Sequence, residues 1–275
     1  MPLQLGNTAV SKMYLGDNEV TRMYLGDNLV YDNADTRLPS GTLYLVATYR
    51  AINNVLRRGL FTVSPLTSIA TIVGSATDFG ASISSPYGLA FVGNTLYMVE
   101  QTNDALYSLN PNTGVATRVG RSVRFGVSER FPTGLTYHNN TLYMIGLDNK
   151  AIFTLNTTTG AATRIGSVDQ FSVAELRPIG LAVVNNTFYM TGRAYDGLYS
   201  VDISTGVATQ IGKFGSNSIS PGYLTAIGST LFMTSGIDDI LYTIDVNTGR
   251  PTQVGSALQF GARIVNPTGI AFIAN

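Results

Sequence analysis

The strongest constraint on the fold is a segment that recurs along most of the chain. Copies begin at Gly88, Gly134, Gly180 and Tyr223, so that the spacing is 46, 46 and 43 residues. The first reads GLAFVGNTLYMVEQTNDALYSLNPNTGVATRVG, and each copy holds four short apolar runs separated by turn residues. A recurring N/D-x-x-T-G turn precedes the fourth run, and its glycine supplies the positive φ that such a turn favours. Four strands per repeat of this length predict the blade of a β-propeller.

Counting the apolar runs predicts the number of blades. The second run of a blade occurs five times, at Leu43, Leu96, Leu142, Phe188 and Leu231. The first blade lacks its first run, however, and the chain ends just after such a run, GIAFIAN. We therefore expect residues 269–273 to complete the first blade and close the ring, which removes open sheet edges. The predicted fold class is all-β, with a five-bladed propeller over residues 41–275.

A phenylalanine recurs in the connection from each blade to the next. Each one precedes a proline by seven residues. The phenylalanines are Phe79, Phe125, Phe171, Phe214 and Phe260. Because a ligand-binding residue need not recur in every blade, we interpret these side chains as packing between blades.

Composition excludes several classes of protein and partner. The chain has 275 residues, of which 44% are hydrophobic and 12% charged, as in a folded globular protein. The 17 basic and 17 acidic residues cancel, which argues against a nucleic-acid partner. Cysteine is absent, no apolar run reaches membrane-spanning length, and the first residues do not resemble a signal peptide. We expect no membrane insertion and no secretion by a signal peptide.

The connections that lie on one face of the propeller carry most of the charge. This face, called the upper face below, holds the connections from second to third strand and from blade to blade. The longest connection, TYRAINNVLRR in the first blade, is seven residues longer than its equivalents. Variable charged loops on a rigid scaffold are typical of binding surfaces. The candidate contact residues are Tyr49, Arg50, Arg57, Arg58, Tyr87, Arg124, Arg130, Arg193 and Tyr195.

The channel residues favour binding over catalysis. A propeller glycosidase needs two carboxylates at the mouth of the central channel. The predicted entry positions are instead Tyr87, Thr133, Ile179, Gly222 and Thr268. No phosphate-binding motif and no His, Asp and Glu cluster with metal-ligand spacing is present. We expect a protein that is not an enzyme, with no catalytic residue, no metal and no cofactor.

The N-terminal residues contain a different repeat, which is ten residues long. LGNTAVSKMY, LGDNEVTRMY and LGDNLVYDN offer a tight turn every ten residues. This pattern predicts an antiparallel β-meander of four strands over residues 1–33, then a linker over 34–40. Because so small a sheet cannot bury both faces, we expect it to dock on the propeller or on a partner. Its candidate docking residues are Met13, Tyr14, Met23, Tyr24 and Leu25.

The tandem MYLGDN units over residues 12–33 resemble an element of bacteriophage virion proteins, in particular tail and baseplate components. The resemblance implies a structural virion protein made in the host cytoplasm and present in multiple copies per particle. The N-terminal module would then bind other virion proteins. The propeller would contact a neighbouring subunit, a host surface glycan or a host protein.

A lectin-like carbohydrate-binding propeller that is not part of a virion is the alternative. Such a lectin places the same sugar-binding residues in every blade. Here the loops QTND, LDNK, RAYD and IDD share no aromatic residue. The alternative therefore requires a single site, near Tyr49, Tyr87 or Tyr195.

Overall fold

The fold was analysed in a computed structural model. Its described residues are 4–5, 8–9, 14–15, 18–19, 22–25, 28–32, 40–75, 77–80, 83–121, 123–127, 131–166, 171, 176–193, 196–215, 219–236, 238–255, 258–261 and 263–274. The chain divides into two compact units, Met1–Pro39 and Ser40–Asn275.

The described residues of the first unit form three short antiparallel hairpins. β1 (Gln4–Leu5) pairs with β2 (Thr8–Ala9), and β3 (Tyr14–Leu15) pairs with β4 (Asn18–Glu19). The longest hairpin joins β5 (Arg22–Leu25) to β6 (Asn28–Asp32).

These hairpins correct the expected single meander, because the described strands form separate two-stranded sheets. Each ten-residue repeat pairs with itself across a two-residue connection, the shortest hairpin that a chain can make. Among the predicted docking residues, Tyr14 belongs to β3, and Met23, Tyr24 and Leu25 belong to β5. Met13 lies outside the described residues.

The second unit is the five-bladed propeller, which confirms the predicted fold class. Each blade is a four-stranded antiparallel sheet. Blade one contains β7 (Gly41–Arg50), β8 (Leu56–Val63), β9 (Ala70–Ile72) and β26 (Ile264–Ala274). Blade two contains β10 (Pro86–Val92), β11 (Thr95–Glu100), β12 (Ala105–Leu109) and β13 (Ala116–Arg118).

The remaining blades repeat this order. Blade three contains β14 (Pro132–His138), β15 (Thr141–Gly146), β16 (Ala151–Leu155) and β17 (Ala162–Ile165). Blade four contains β18 (Pro178–Val184), β19 (Thr187–Gly192), β20 (Gly197–Val201) and β21 (Ala208–Lys213). Blade five contains β22 (Leu224–Ile227), β23 (Thr230–Thr234), β24 (Leu241–Ile244) and β25 (Pro251–Gln253). Single 3₁₀ turns span Thr77–Gly80, Val123–Gly126 and Leu258–Gly261.

The last strand closes the ring, as the sequence predicted. β26 is the innermost strand of blade one and pairs antiparallel with β7, from Ile264 opposite Tyr49 to Ala274 opposite Gly41. The two chain ends of the propeller are thereby joined in one sheet, in which β7 is paired on both sides.

The recurring phenylalanines pack between blades, which confirms their interpretation. Phe79 is fully buried in a cluster with Leu60 of blade one and Leu96 of blade two. Phe125 occupies the next interface, against Val99 of blade two and Leu142 of blade three. The apolar core of the propeller therefore lies in layers between neighbouring sheets.

Glycines bring the innermost strands together around the axis. A Cβ on Gly88 would lie 2.4 Å from the carbonyl oxygen of Thr133 in the next blade. A Cβ on Gly180 would lie 2.7 Å from the carbonyl oxygen of Gly222. Real Cβ atoms do not approach backbone so closely, so only glycine fits these positions. At the level of these glycines the axis leaves no space for a water molecule, whereas a cavity of about 160 Å³ lies further along the innermost strands, beside Thr136 and Thr225.

Candidate functional site

The predicted contact residues separate into two places on the upper face of the propeller. One is the hairpin of β7 and β8 in blade one, which holds Tyr49, Arg50, Arg57 and Arg58. The other is the mouth of the central channel, which holds Tyr87 and Arg193. Arg124 belongs to the 3₁₀ turn Val123–Gly126, and Arg130 and Tyr195 lie outside the described residues.

The insertion in blade one lengthens a hairpin. β7 and β8 stay paired up to Arg50 opposite Leu56, which leaves only residues 51–55 as the connection. In that connection the Ala51 N–H donates to the Val55 carbonyl at 2.9 Å. Asn54 adopts a left-handed φ of 61°, which asparagine tolerates better than most residues. The extra residues therefore form a structured projection.

Asp78 holds the base of this projection. Its Oδ2 accepts from Nη1 of Arg57 at 3.0 Å, and its Oδ1 accepts from the Arg58 main-chain N–H, also at 3.0 Å. The Arg58 guanidinium lies 3.7 Å from the same carboxylate. Arg57 and Arg58 thus already have an anionic partner within the chain, and their charges stabilise the base of the hairpin.

An apolar groove of about 560 Å³ lies beside the projection. Tyr49, Phe61 and Ile72 form its base, and Ile52 stands at its edge with a fully exposed side chain, 100% accessible. Gly59 packs closely against the base, because a Cβ there would lie 3.3 Å from the Tyr49 ring and 3.6 Å from the Phe61 ring. The Tyr49 and Phe61 rings pack edge to face at 5.4 Å. Apolar grooves with few polar groups are the usual form of a binding site.

Burial and two neighbouring charged side chains affect the pKa of Tyr49 at the base of the groove. Burial raises the pKa of the Tyr49 hydroxyl, the Asp78 carboxylate raises it further, and Arg57 opposes the rise. Tyr49 therefore stays protonated at neutral pH and presents an uncharged hydrogen-bonding group to the groove.

Residues from three blades meet at the channel mouth. Tyr87 begins blade two, Arg193 follows β19 of blade four, and Tyr223 precedes β22 of blade five. The Tyr87 and Tyr223 rings lie 5.9 Å apart with their planes inclined by 45°. Burial raises the pKa of both hydroxyls, and the charge of Arg193 opposes the rise at each.

Tyr223 was missed by the sequence analysis, although a signal was present. It occupies the position that is glycine in the other blades, at Gly88, Gly134, Gly180 and Gly269. A tyrosine at one of five equivalent axial positions marks the place where the symmetry of the propeller is broken. The same comparison identifies the channel mouth as a candidate site.

Threonine hydroxyls beside the mouth form hydrogen bonds with backbone groups of the inner strands. Thr133 Oγ1 donates to the Pro178 carbonyl at 3.2 Å, and Thr191 Oγ1 donates to the Gly222 carbonyl at 2.6 Å. Both bonds join neighbouring blades. Thr234 Oγ1 accepts from the Tyr223 N–H at 3.1 Å. These threonines therefore hold the inner strands in place and fix the position of Tyr223.

Carboxylates near the upper face differ in burial and bonding. Glu100 is fully buried and accepts from the Ser85 and Asn103 N–H groups at 3.1 and 2.7 Å. Asp238 accepts from the Ser235 and Tyr242 hydroxyls, both at 2.5 Å. Asp239 is 6% exposed, and burial together with Asp238 raises its pKa to about 7. Within the described part of the chain, no group of three or more His, Asp and Glu residues is placed to hold a metal ion.

The helical turns that the structure describes include none with the length and apolar character needed to cross a membrane.

Comparisons with known proteins support the fold. No protein-family model and no curated protein matches the chain. A solved structure of a nidogen/laminin complex matches with a TM-score of 0.53 and 12% identity, over 84% of this chain and 98% of that one. Virginiamycin B lyase from Staphylococcus aureus matches with a TM-score of 0.45 and 14% identity, over 82% and 76%. A streptogramin B lyase structure matches with a TM-score of 0.44 and 12% identity, over 88% and 75%.

The two lyases correct the expectation that the chain is not an enzyme. That expectation treated a channel mouth without paired carboxylates as evidence against catalysis, whereas propellers similar to this chain include named enzymes. The absence of a glycosidase arrangement excludes one reaction type and leaves others open. At these identities the similarity shows the fold alone, and by that fold the chain is a five-bladed β-propeller.

Proposed function

We propose that the protein is a bacteriophage virion component, of the tail or baseplate type, that displays its propeller for recognition of the host surface. The tandem MYLGDN units over residues 12–33 support the virion assignment by resemblance. In this proposal the N-terminal hairpins attach the chain to other virion proteins, and the propeller is present in multiple copies on the particle.

The observation that carries the recognition role is the apolar groove of blade one. A fully exposed isoleucine next to two aromatic rings is costly to leave in water, because each such side chain gains about 1.5–3 kcal/mol on burial. The groove also belongs to the one blade with a lengthened hairpin. A host protein that inserts an apolar side chain between Ile52 and Tyr49 is the partner this shape fits.

Two measurements test the proposal. Mass spectrometry of purified particles should detect the chain, and its absence from particles would contradict the virion role. Particles that carry Ile52→Ser should adsorb to host cells at least tenfold more slowly, because the groove loses its exposed apolar edge. Leu66→Ser is the matched control, since Leu66 is 74% exposed in the same blade but does not line the groove. Equal adsorption of the two variants would contradict recognition through the groove.

A further inference from the structure

The channel mouth has the properties of a second binding site, separate from the groove. Tyr87, Arg193 and Tyr223 come from three different blades, so the site exists only in the closed ring. Tyr223 is 8% exposed and its ring supports Tyr87, which is only half-buried and faces the mouth. An aromatic surface therefore lies at the centre of the upper face.

Arg193 supplies a cation beside this aromatic surface. Its side chain is exposed, and among the described residues no carboxylate or carbonyl accepts a hydrogen bond from its guanidinium. Its main-chain N–H donates to the Arg177 carbonyl at 3.0 Å, which fixes the start of the side chain. Nη2 lies 3.5 Å from the position that a Cβ on Gly236 would occupy, so the arginine extends over the loop of blade five.

The acidic groups near Arg193 do not neutralise it in the described structure. Both oxygens of Asp238 are engaged by the Ser235 and Tyr242 hydroxyls. The pKa of Asp239 responds to burial and to Asp238, with no contribution from Arg193. Asp196 is exposed, and among the described residues its carboxylate forms no ion pair with Arg193. The positive charge of Arg193 therefore acts on the two tyrosines and on the solvent above them.

The floor of the mouth limits what can bind. The axial glycines and leucines packed beside Tyr223 leave no room for water, and the neighbouring threonine hydroxyls are already bonded to backbone groups. A ligand must consequently rest on the tyrosines and cannot enter the channel. Its anchoring charge must be negative, and its body must be flat enough to stack on a ring.

We infer that the channel mouth binds the carboxylate of a uronic acid, with Arg193 on the carboxylate and Tyr87 against the sugar ring. A guanidinium matches a carboxylate with two parallel N–H···O bonds, and an aromatic ring packs against the apolar C–H face of a pyranose. One arginine matches the single charge of one uronic acid unit, as found at intervals along acidic polysaccharides. This inference goes beyond the proposed function and holds whether or not the chain is carried on a particle.

Glucuronate is the probe, and saturation-transfer NMR on the full chain is the measurement. We expect glucuronate to bind with a Kd on the order of 1 mM, a range reachable by one charged and one stacking contact. Glucose, which lacks the carboxylate, and acetate, which lacks the ring, should each bind at least tenfold more weakly. Binding of either comparison ligand as strong as that of glucuronate overturns the inference.

Variants locate the binding to the mouth. Arg193→Gln and Tyr87→Ala should each weaken glucuronate binding at least tenfold, and the melting temperature should stay unchanged in Arg193→Gln, whose side chain is exposed. Arg250→Gln is the matched control, because Arg250 is an exposed arginine in a turn on the opposite face. If Arg250→Gln weakens binding as much as Arg193→Gln, glucuronate responds to the net charge of the protein and not to a site at the mouth. That result would refute the site. Tighter binding of a glutamate hexapeptide than of glucuronate assigns the mouth to acidic peptides and equally overturns the inference.

Discussion

The main-chain N–H of Arg58 donates to Oδ1 of Asp78 at 3.0 Å, on the outer edge of the blade-one hairpin. β9 pairs with β8 only from Phe61 to Val63, so the part of β8 nearer the tip lacks a neighbouring strand on that side. The Asp78 carboxylate replaces the missing partner at Arg58. The Asp78 side chain thereby satisfies a backbone N–H of the projection beyond the end of β9.

The first prediction concerns this contact. Asp78→Ala should lower the free energy of unfolding by roughly 1.5–3 kcal/mol, the range for a hydrogen bond to a charged group. Amide hydrogen exchange at Arg58 should accelerate more than exchange at Val73, whose N–H donates to the Leu60 carbonyl. Asp78→Asn is the control, because its oxygen can still accept from Arg58. Unchanged exchange at Arg58 in the alanine variant would contradict the assigned role.

The second prediction concerns ring closure. Deleting residues 268–275 removes most of β26 and exposes the inner edge of β7, so the cooperative melting transition should be lost. Deleting only residues 274–275 should preserve the transition, since the pairs from Ile264 to Ile273 remain. A sharp transition in the longer deletion would show that the other four blades fold without closure.

The third prediction uses the turns before the fourth strands. Asp245 Oδ1 accepts from the Asn247 and Thr248 N–H groups, and these bonds lower its pKa. Hydrogen bonds centred on Ser204 likewise lower the pKa of Asp202. Both carboxylates therefore stabilise the fold above their unfolded pKa near 3.8, and this stabilisation is lost as the pH falls through the folded values.

The test replaces both aspartates by asparagine, the residue that Asn110 and Asn156 already provide at the equivalent positions. The melting temperature of the double variant should depend less on pH below 3.8 than that of the natural chain. Equal acid sensitivity of the two proteins would show that other carboxylates control acid unfolding.

The fourth prediction concerns Asp239, whose folded pKa of about 7 is above the ordinary value of 3.8. Between these values the folded state holds a proton that the unfolded state has lost, so the stability of the natural chain should fall as the pH rises through this range. Asp239→Asn should remove that slope and stabilise the protein at about pH 8, where the buried charge is otherwise complete.

Asp196→Asn is the control for this change. Asp196 has a similar left-handed φ, 42° against 52° for Asp239, but is exposed. Thermal melts of both variants from about pH 4 to pH 8 separate the effect of burial from that of backbone conformation. A variant at Asp239 with the same pH slope as the natural chain would refute the assigned protonation.

The fifth prediction concerns attachment. Removing residues 1–39 should leave the melting temperature of the propeller unchanged and abolish incorporation into particles. Tyr24→Ser with Leu25→Ser should reduce incorporation in the full chain, whereas Ile52→Ser should leave incorporation intact. A lowered melting temperature after the truncation would mean that the first unit stabilises the propeller, and the attachment role would then be wrong.

The ring, its closure and its packing were predictable because they repeat. A residue that recurs in all five repeats, such as Phe79 or Phe125, occupies the same place in each blade. Its spacing along the chain therefore predicts its position in the fold. The N-terminal repeats also indicated that neighbouring strands pair locally, as three described strand pairs do. Whether one hairpin pairs with the next depends on contacts between repeats, however, and turn chemistry alone does not encode those contacts.

The candidate sites were less predictable because they depend on departures from the repeat. The sequence marked Arg57 and Arg58 as contact residues, but their pairing with Asp78 follows from the register of β8 against a turn twenty residues away. Tyr223 belongs to the channel mouth because three blades converge on the axis. Its replacement of a glycine was visible in the sequence, yet the meeting with Tyr87 follows from the curvature of the whole ring.

The glycines around the axis determine whether a ligand or water can pass along the centre of the propeller. At the level of Gly88, Gly134 and Gly180 the innermost strands meet with no space for water, so the axis is blocked there. A cavity of about 160 Å³ lies between the same strands on the lower side of this block. Whatever reaches the upper face must leave by the same side, and its residence time depends only on contacts made there. A ligand at the mouth therefore has no route along the axis to the lower face.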